Sequence, residues 1–196
     1  MKTTGGKTAL MFAVENEKTA EKVINTLLSA GADVVVTSNT GATLATLIAR
    51  ANFIPSSLRD LIFTKEREEA GRRLVEELAR GKTELVEELI ARDATEYRDP
   101  AGNSALFYAA KLPTLDTFFS LLATTDFDPF LTNHKKLHAI HMIARRDEME
   151  ATFALLSFFE PLKKSELLTK VFSGLRVRGH LSANTSIAVL KLIPQM

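Results

Sequence analysis

The sequence predicts an all-α solenoid of about five helix pairs, in which short β-hairpin fingers connect one pair to the next. A nine-residue pattern occurs four times in the 196 residues, as GKTALMFAV (6–14), GATLATLIA (41–49), GNSALFYAA (102–110) and KLHAIHMIA (136–144). The copies begin 35, 61 and 34 residues apart, so the middle interval is long enough to hold one further repeat that has lost the pattern. A period of about 34 residues with helical content is typical of stacked repeat proteins.

Each copy of the pattern predicts the first helix of a pair, because it follows a glycine or polar turn and carries small residues on one side. The expected helices lie near 7–15, 42–52, 103–112 and 137–146. Their small residues, which allow helices to stack closely, are Ala13, Ala49, Ala109, Ala110 and Ala144. We therefore expect the four helices to stack in parallel as an inner layer.

Paired aliphatic or aromatic residues mark the second helices, whose apolar positions fall three and four residues apart, as one buried helical face requires. These segments are 23–34, 85–97, 118–130 and 152–161. Turn residues follow them, among them Gly41 and Gly102, where glycine supplies a positive φ. These turns predict short extended connections between one helix pair and the next.

The succession of G-x-T-A-L-x-x-A-A and L-L-x-x-G-A-D-V resembles the ankyrin repeat. Residues 6–14 followed by 27–34 are the best copy, and 99–110 are nearly as good. The resemblance extends over residues 5–161, which is most of the chain. It implies an ankyrin-repeat solenoid, and it places partner binding on the finger tips and on the concave ends of the inner helices.

The domain organisation has two interpretations, because residues 66–98 form a charged helix pair without the repeated pattern. The pair is either a degenerate middle repeat of one bent array, or the start of a second short stack after a break near 64–70. We favour the first, with 1–196 as a single ankyrin-repeat domain. Residues 162–196 predict two amphipathic helices that close the stack, since an uncapped solenoid exposes an apolar end.

Composition excludes several classes of function. A formal net charge of +1 gives no bulk attraction to nucleic acid. Cysteine is absent from the sequence, so disulfides, zinc-thiolate sites and thiol nucleophiles are excluded. No signal peptide is recognisable, and no apolar stretch approaches the ~18 residues of a membrane span. We therefore expect an intracellular, cytoplasmic protein that does not insert into membranes.

Two short motifs suggest chemistry, but neither is complete. The GGKT at 5–8 resembles the end of a phosphate-binding loop, yet Met1 stands where that loop requires a glycine. His134, His138 and His141 have a spacing that suits one helix face, but His134 falls on a finger tip and His141 occupies the histidine position of the ankyrin repeat. No catalytic spacing of nucleophile, base and acid occurs. We expect no enzymatic activity, metal or cofactor.

The positions that the resemblance assigns to partner binding contain an excess of basic side chains. Of eight concave positions after the small residues, four are basic: Arg50, Lys111, Arg145 and Arg146. A basic stripe on a nearly neutral protein indicates a partner with an acidic surface. The expected contacts on the finger tips are Asn39, Thr40, Pro100, Ala101, His134 and Lys135. Phe127 and Phe130 lie near a finger, either as exposed anchors or packed between repeats.

The sequence as a whole predicts a protein–protein interaction scaffold. The alternative is a targeting or regulatory module of a larger protein, such as a bacterial effector delivered into the host cytoplasm. A repeat that begins at residue 5 without a preceding cap favours a piece of a longer protein.

Overall fold

The computed structural model describes residues 2–18, 20–94, 97–123, 127–146 and 154. In this part of the chain eight helices follow one another: α1 (Ala9–Glu15), α2 (Ala20–Ser29), α3 (Leu44–Arg50), α4 (Ser56–Ala79), α5 (Val86–Ala91), α6 (Ala105–Ala109), α7 (Asp116–Ala123) and α8 (Ala139–Ala144). None of these eight is both long and apolar enough to cross a membrane. The all-α class is confirmed for the described residues. The predicted helix at 152–161, except Ala154, and the predicted capping helices at 162–196 lie outside them.

The four helices predicted from the repeated pattern are confirmed as α1, α3, α6 and α8, each somewhat shorter than expected. Their arrangement as one inner layer stays a prediction. Each begins after a capping residue whose side chain accepts a hydrogen bond from the backbone N–H three residues further on. The capping residues are Thr8, Thr43, Ser104 and His138. Of the predicted second helices, 23–34, 85–97 and 118–130 correspond to α2, α5 and α7. Helix α2 ends earlier than predicted because Gly31 turns the chain with a φ of 75°.

The loops expected to be β-hairpin fingers are tight turns, and the residues that the structure describes contain no β-strand. Pairing is limited to two isolated antiparallel bridges, Lys2 with Thr8 and Thr37 with Thr43. The bridged residues flank turns over 3–7 and 38–42 that each close within five residues. That leaves one bridged residue on either side, which is too short for a strand ladder.

One hydrogen-bond pattern closes the turns over 3–7, 38–42, 99–103 and 133–137, which we call the fingers. The N–H of the first residue donates to the carbonyl of the fifth at 2.8–3.1 Å, and the N–H of the fourth donates to the carbonyl of the first at 2.8–3.0 Å. The fourth residue has a positive φ, which glycine adopts without steric cost. The four residues in this position are Gly6, Gly41, Gly102 and Lys136.

The chain divides into two compact units, Met1–Arg73 with Glu87–Thr95 (unit 1) and Leu74–Val86 with Glu96–Met196 (unit 2). In unit 1, α1 packs against α2 and α3, and the most deeply buried side chains there include Leu10, Val14, Ile24, Leu44 and Ile48. In unit 2, α6 packs against α7 and α8 around Leu106, Phe118, Leu121 and Ile140. The organisation of 1–196 as a single array stays a prediction.

Helix α4 is continuous from Ser56 to Ala79, and residues 64–70, where a bend or break is expected, lie inside it. Every fourth residue along it is buried: Leu58, Ile62, Glu66, Ala70, Leu74 and Leu78. Residues four apart are neighbours on a helix surface, so these side chains form a continuous buried row that turns by about 40° around the helix from one member to the next. Glu66 is the charged member of that otherwise apolar row.

Candidate functional site

Backbone hydrogen bonds join neighbouring fingers within each unit. In unit 1, the Asn39 N–H donates to the Gly5 carbonyl (3.0 Å), and the Asn39 side-chain amide donates to the Thr4 carbonyl (2.9 Å). In unit 2, the His134 N–H donates to the Ala101 carbonyl (3.1 Å). The donor is the second finger residue and the acceptor is the third in both units. Stacked fingers are therefore held by their own main chains.

The finger over 99–103 carries an additional side-chain clamp. The Asp99 carboxylate accepts hydrogen bonds from the backbone N–H groups of Ala101 and Asn103, both at 2.8 Å, and from the Tyr108 hydroxyl. Burial raises the pKa of Asp99, but these hydrogen bonds together lower it by more. The pKa of Asp99 therefore lies below its ordinary value. The carboxylate is therefore ionised at neutral pH, and it holds the finger in one conformation.

The six finger-tip residues predicted to contact a partner are all exposed: Asn39, Thr40, Pro100, Ala101, His134 and Lys135. Their turns are closed by internal hydrogen bonds, so little backbone freedom remains to be lost when a partner binds. Asn39 and Thr40 belong to unit 1, and the other four belong to unit 2.

The four basic residues predicted on the concave side differ in their surroundings. Arg50, in unit 1, is exposed at the end of α3. In unit 2, Lys111 and Arg145 are exposed, and the Lys111 ammonium lies 5.5 Å from the centre of the Tyr108 ring. Arg146 is half-buried, because its guanidinium donates to the carbonyls of Leu112 (2.6 Å) and Pro113 (2.7 Å). It therefore tethers the end of α8 to the loop that follows α6.

The two phenylalanines considered as anchors are not fully exposed. Phe127 is buried, with 7% of its surface accessible. Phe130 is half-buried, and its ring makes an edge contact with His138, with ring centres 5.9 Å apart. The structure thus favours the packing role over the anchor role for both side chains.

Two of the three closely spaced histidines, His138 and His141, cap the beginning of α8. His138 accepts the backbone N–H of His141 at Nδ1 (3.3 Å), and His141 accepts the backbone N–H of His138 at its own Nδ1 (3.2 Å). Both Nδ1 lone pairs are used in this reciprocal capping box. Within the described ranges no group of three or more His, Asp or Glu side chains could hold a metal ion.

This histidine cap predicts a loss of stability in mild acid. Burial, and to a smaller extent the nearby His141, lower the pKa of His138 from 6.5 to about 4, so the folded state favours the neutral ring. The stabilising contribution is complete above the ordinary pKa and is lost as the pH falls toward the folded pKa. Between about pH 7.5 and about pH 5.5, we expect a loss of about 1.4 kcal/mol in the free energy of unfolding from this group.

Urea unfolding followed by circular dichroism at several pH values measures this loss. His138→Thr, which restores the residue type found at Thr8 and Thr43, should remove most of the pH dependence. His134→Thr changes an exposed finger-tip histidine and should leave the pH dependence of stability unchanged. An equal pH dependence in wild type and His138→Thr contradicts the prediction.

Sequence reasoning missed a polar cluster in unit 1 where Glu66 meets Arg92. Arg92 Nη1 donates to Glu66 Oε1 at 2.8 Å, and the two side chains are only 6% and 5% exposed. Arg92 Nη2 also contacts Glu88 Oε1 (2.9 Å) and Thr37 Oγ1, and Thr37 donates to Glu88 at 2.8 Å. The sequence does contain one signal of this cluster. Glu66 is a charged residue in a series in which every fourth residue is otherwise apolar.

Comparison with protein families identifies one segment. The ankyrin repeat model matches residues 5–39, which hold α1, α2 and the turns that flank them. This is the segment that contains the best copy of the pattern, so the resemblance is confirmed there, and the chain contains one detected ankyrin repeat. No curated protein matches the chain.

Proposed function

We propose that this chain, with an ankyrin repeat at residues 5–39, is a protein-binding module whose fingers and exposed basic side chains contact an acidic surface of a partner protein. The observation that carries the proposal is the ankyrin repeat itself, because such repeats are typically binding modules without catalytic activity. The fingers support it, since each is a rigid turn with an exposed tip.

Rigidity favours binding for an energetic reason. Ordering a loop or side chain on association costs free energy, and a surface that is already ordered avoids part of that cost. The finger main chains are closed by two hydrogen bonds each, and Asp99 adds further bonds in unit 2. The fingers are therefore suited to recognition by side chains at fixed positions.

Exposed basic side chains favour a partner with an acidic surface. Lys111 and Arg145 are exposed basic residues of unit 2, and both follow inner helices. Each exposed ion pair contributes only about 0–1 kcal/mol, but several together raise the association rate and make it depend on salt. A partner surface rich in Asp and Glu fits this pattern. Arg50 extends the same chemistry to unit 1.

The test is quantitative capture from a cell lysate with the wild-type chain and two matched variants. Lys111→Glu with Arg145→Glu reverses the proposed contacts, and Lys18→Glu with Lys82→Glu makes the same change of net charge at other exposed lysines. We expect the first variant to lose about fivefold or more of an acidic interactor, and the second to lose little.

Salt provides a second readout of the same experiment. Capture should decline from low to physiological to high salt, because the charges are exposed and screened. If both variants capture the partner equally, or if capture does not depend on salt, the proposal that Lys111 and Arg145 contact the partner is wrong. In that case Thr40→Ala and Lys135→Ala, which alter the finger tips alone, decide whether the fingers bind the partner.

A further inference from the structure

A cavity of about 760 Å³ opens in unit 1 beside the buried Glu66–Arg92 pair. Its wall combines hydroxyl groups, an aromatic ring and carboxylates, and includes Thr37, Thr46, Phe63, Glu66, Glu88 and Arg92. Ligand sites in proteins have volumes of roughly 300–1,000 Å³ and join apolar surface with a few convergent polar groups. The cavity has the size and composition of such a site.

Charge is unbalanced in the wall of this cavity. Arg92 supplies one positive charge and lies between two carboxylates, Glu66 and Glu88. Arg67 and Asp93, also in the wall, pair with each other at 2.8 Å and balance one another. Hydrogen bonds from Arg92 and Thr37 lower the pKa of Glu88, so Glu88 is ionised at neutral pH. Burial raises the pKa of Glu66, and the adjacent Arg92 opposes this rise. With both carboxylates ionised, the wall has an excess of one negative charge.

One carboxylate oxygen of the wall can accept a further hydrogen bond. Glu66 receives one described hydrogen bond, from Arg92 to Oε1, which leaves Oε2 as a second acceptor. The Nε–H of Arg92 has no acceptor among the residues that the structure describes, but it is buried and is therefore not offered to a ligand.

We propose that this cavity binds an arginine residue of a partner protein. The guanidinium pairs with Glu88 and with Glu66 Oε2. The inference rests on the proposed function in one respect, namely that the ligand is a protein. The site itself belongs to unit 1, and Lys111 and Arg145 belong to unit 2.

Arginine fits this wall better than other charged groups. A guanidinium is planar, pairs with a carboxylate through two parallel hydrogen bonds, and stacks on aromatic rings such as Phe63. A phosphate or carboxylate ligand is disfavoured by the excess negative charge. Lysine offers the charge but neither the two-point pairing nor the stacking, so we expect it to bind more weakly.

Nuclear magnetic resonance titration of the full chain tests the site with the tripeptide acetyl-Gly-Arg-Gly-amide. The matched control peptide replaces arginine by citrulline, which keeps the shape and removes the charge. We expect saturable shifts of the backbone amides of Thr37, Thr46 and Phe63, and binding of the citrulline peptide that is about tenfold weaker or worse, as loss of a charged hydrogen bond implies.

Matched protein variants assign the contact to one carboxylate. Glu88→Gln keeps an acceptor for Thr37 and Arg92 but removes the negative charge. It should weaken binding of the arginine peptide about tenfold. Glu87→Gln changes the neighbouring exposed carboxylate of α5, which is not part of the wall, and should leave binding within about twofold. Circular dichroism confirms that both variants are folded.

Three results overturn the inference: no saturable shift, equal binding of the arginine and citrulline peptides, or unchanged binding by Glu88→Gln. Failure here is distinct from failure of the proposed function. If the peptide does not bind while the Lys111 and Arg145 reversals abolish capture, the module binds proteins and the cavity is not a site. If the peptide binds and capture is unaffected, the cavity is a site and the basic contacts are not.

Discussion

Arg92→Met is expected to destabilise the protein by about 3–5 kcal/mol at neutral pH, because it leaves the Glu66 carboxylate buried without a cation. Burial already raises the pKa of Glu66, although Arg92 opposes this. The folded state therefore tolerates the ionised form of Glu66 only with its partner in place. Urea unfolding monitored by circular dichroism gives the loss directly.

The pH dependence of Arg92→Met follows from the same contact. Without Arg92, the pKa of Glu66 rises further in the folded state, and a protonated carboxyl needs no cation. The deficit should therefore be largest at neutral pH and should shrink as the pH falls toward the ordinary carboxyl range. A deficit that is the same at every pH contradicts this account.

Two controls separate the buried pair from an ordinary ion pair. Arg67→Met breaks the ion pair between Arg67 and Asp93, whose side chains are 47% and 60% exposed. It should lower the free energy of unfolding by only about 0–1 kcal/mol. The double variant Glu66→Leu with Arg92→Met completes the apolar row of α4 and should return to within about 1 kcal/mol of the wild type, or exceed it. Equal losses for Arg92→Met and Arg67→Met contradict the prediction.

Gly6→Ala is the second large effect, with an expected loss of about 2–4 kcal/mol. Gly6 has a φ of 76°, which disfavours any side chain. An added Cβ would also lie 2.4 Å from the Asn39 side-chain oxygen and 2.7 Å from the Asn39 backbone nitrogen. The second finger must then move, and the hydrogen bond from Asn39 to Gly5 is lost.

Gly41→Ala is the matched control for this contact. Gly41 occupies the same position of the next finger with a φ of 77°, yet no atom lies within 4 Å of the added Cβ. Only the backbone strain remains, so we expect a loss of about 1–2 kcal/mol. Denaturant midpoints compare the two variants. Equal losses contradict the claim that contact between fingers, rather than backbone conformation alone, requires glycine at residue 6.

The residue in the second position of a finger decides whether that finger can donate the main-chain hydrogen bond to a neighbouring finger. The second finger residue donates the main-chain hydrogen bond in both units, as Asn39 and His134 do. Pro100 stands in this position in the finger over 99–103, and proline has no N–H to donate. That finger accepts from the following one through Ala101 but cannot donate in the same way.

Local features were predictable from the sequence because neighbouring residues determine them. The repeated pattern predicted four of the helices to within a few residues of their ends, because its apolar and small positions recur with helical spacing. Gly6, Gly41 and Gly102 marked the turns, because the fingers require a positive φ there. The ankyrin repeat at 5–39 was recognisable for the same reason, as its signature is a matter of spacing.

Features that depend on distant residues were decided only by the tertiary structure. The cavity wall joins Thr37, Glu66 and Arg92 from three separate segments, and no spacing in the sequence brings them together. Partner binding by Arg146 stays a prediction, and only the tertiary structure shows that its guanidinium donates to carbonyls 33 and 34 residues away. The burial of Glu66 likewise follows from packing along α4, because a charge enters an apolar row only where a partner such as Arg92 compensates it.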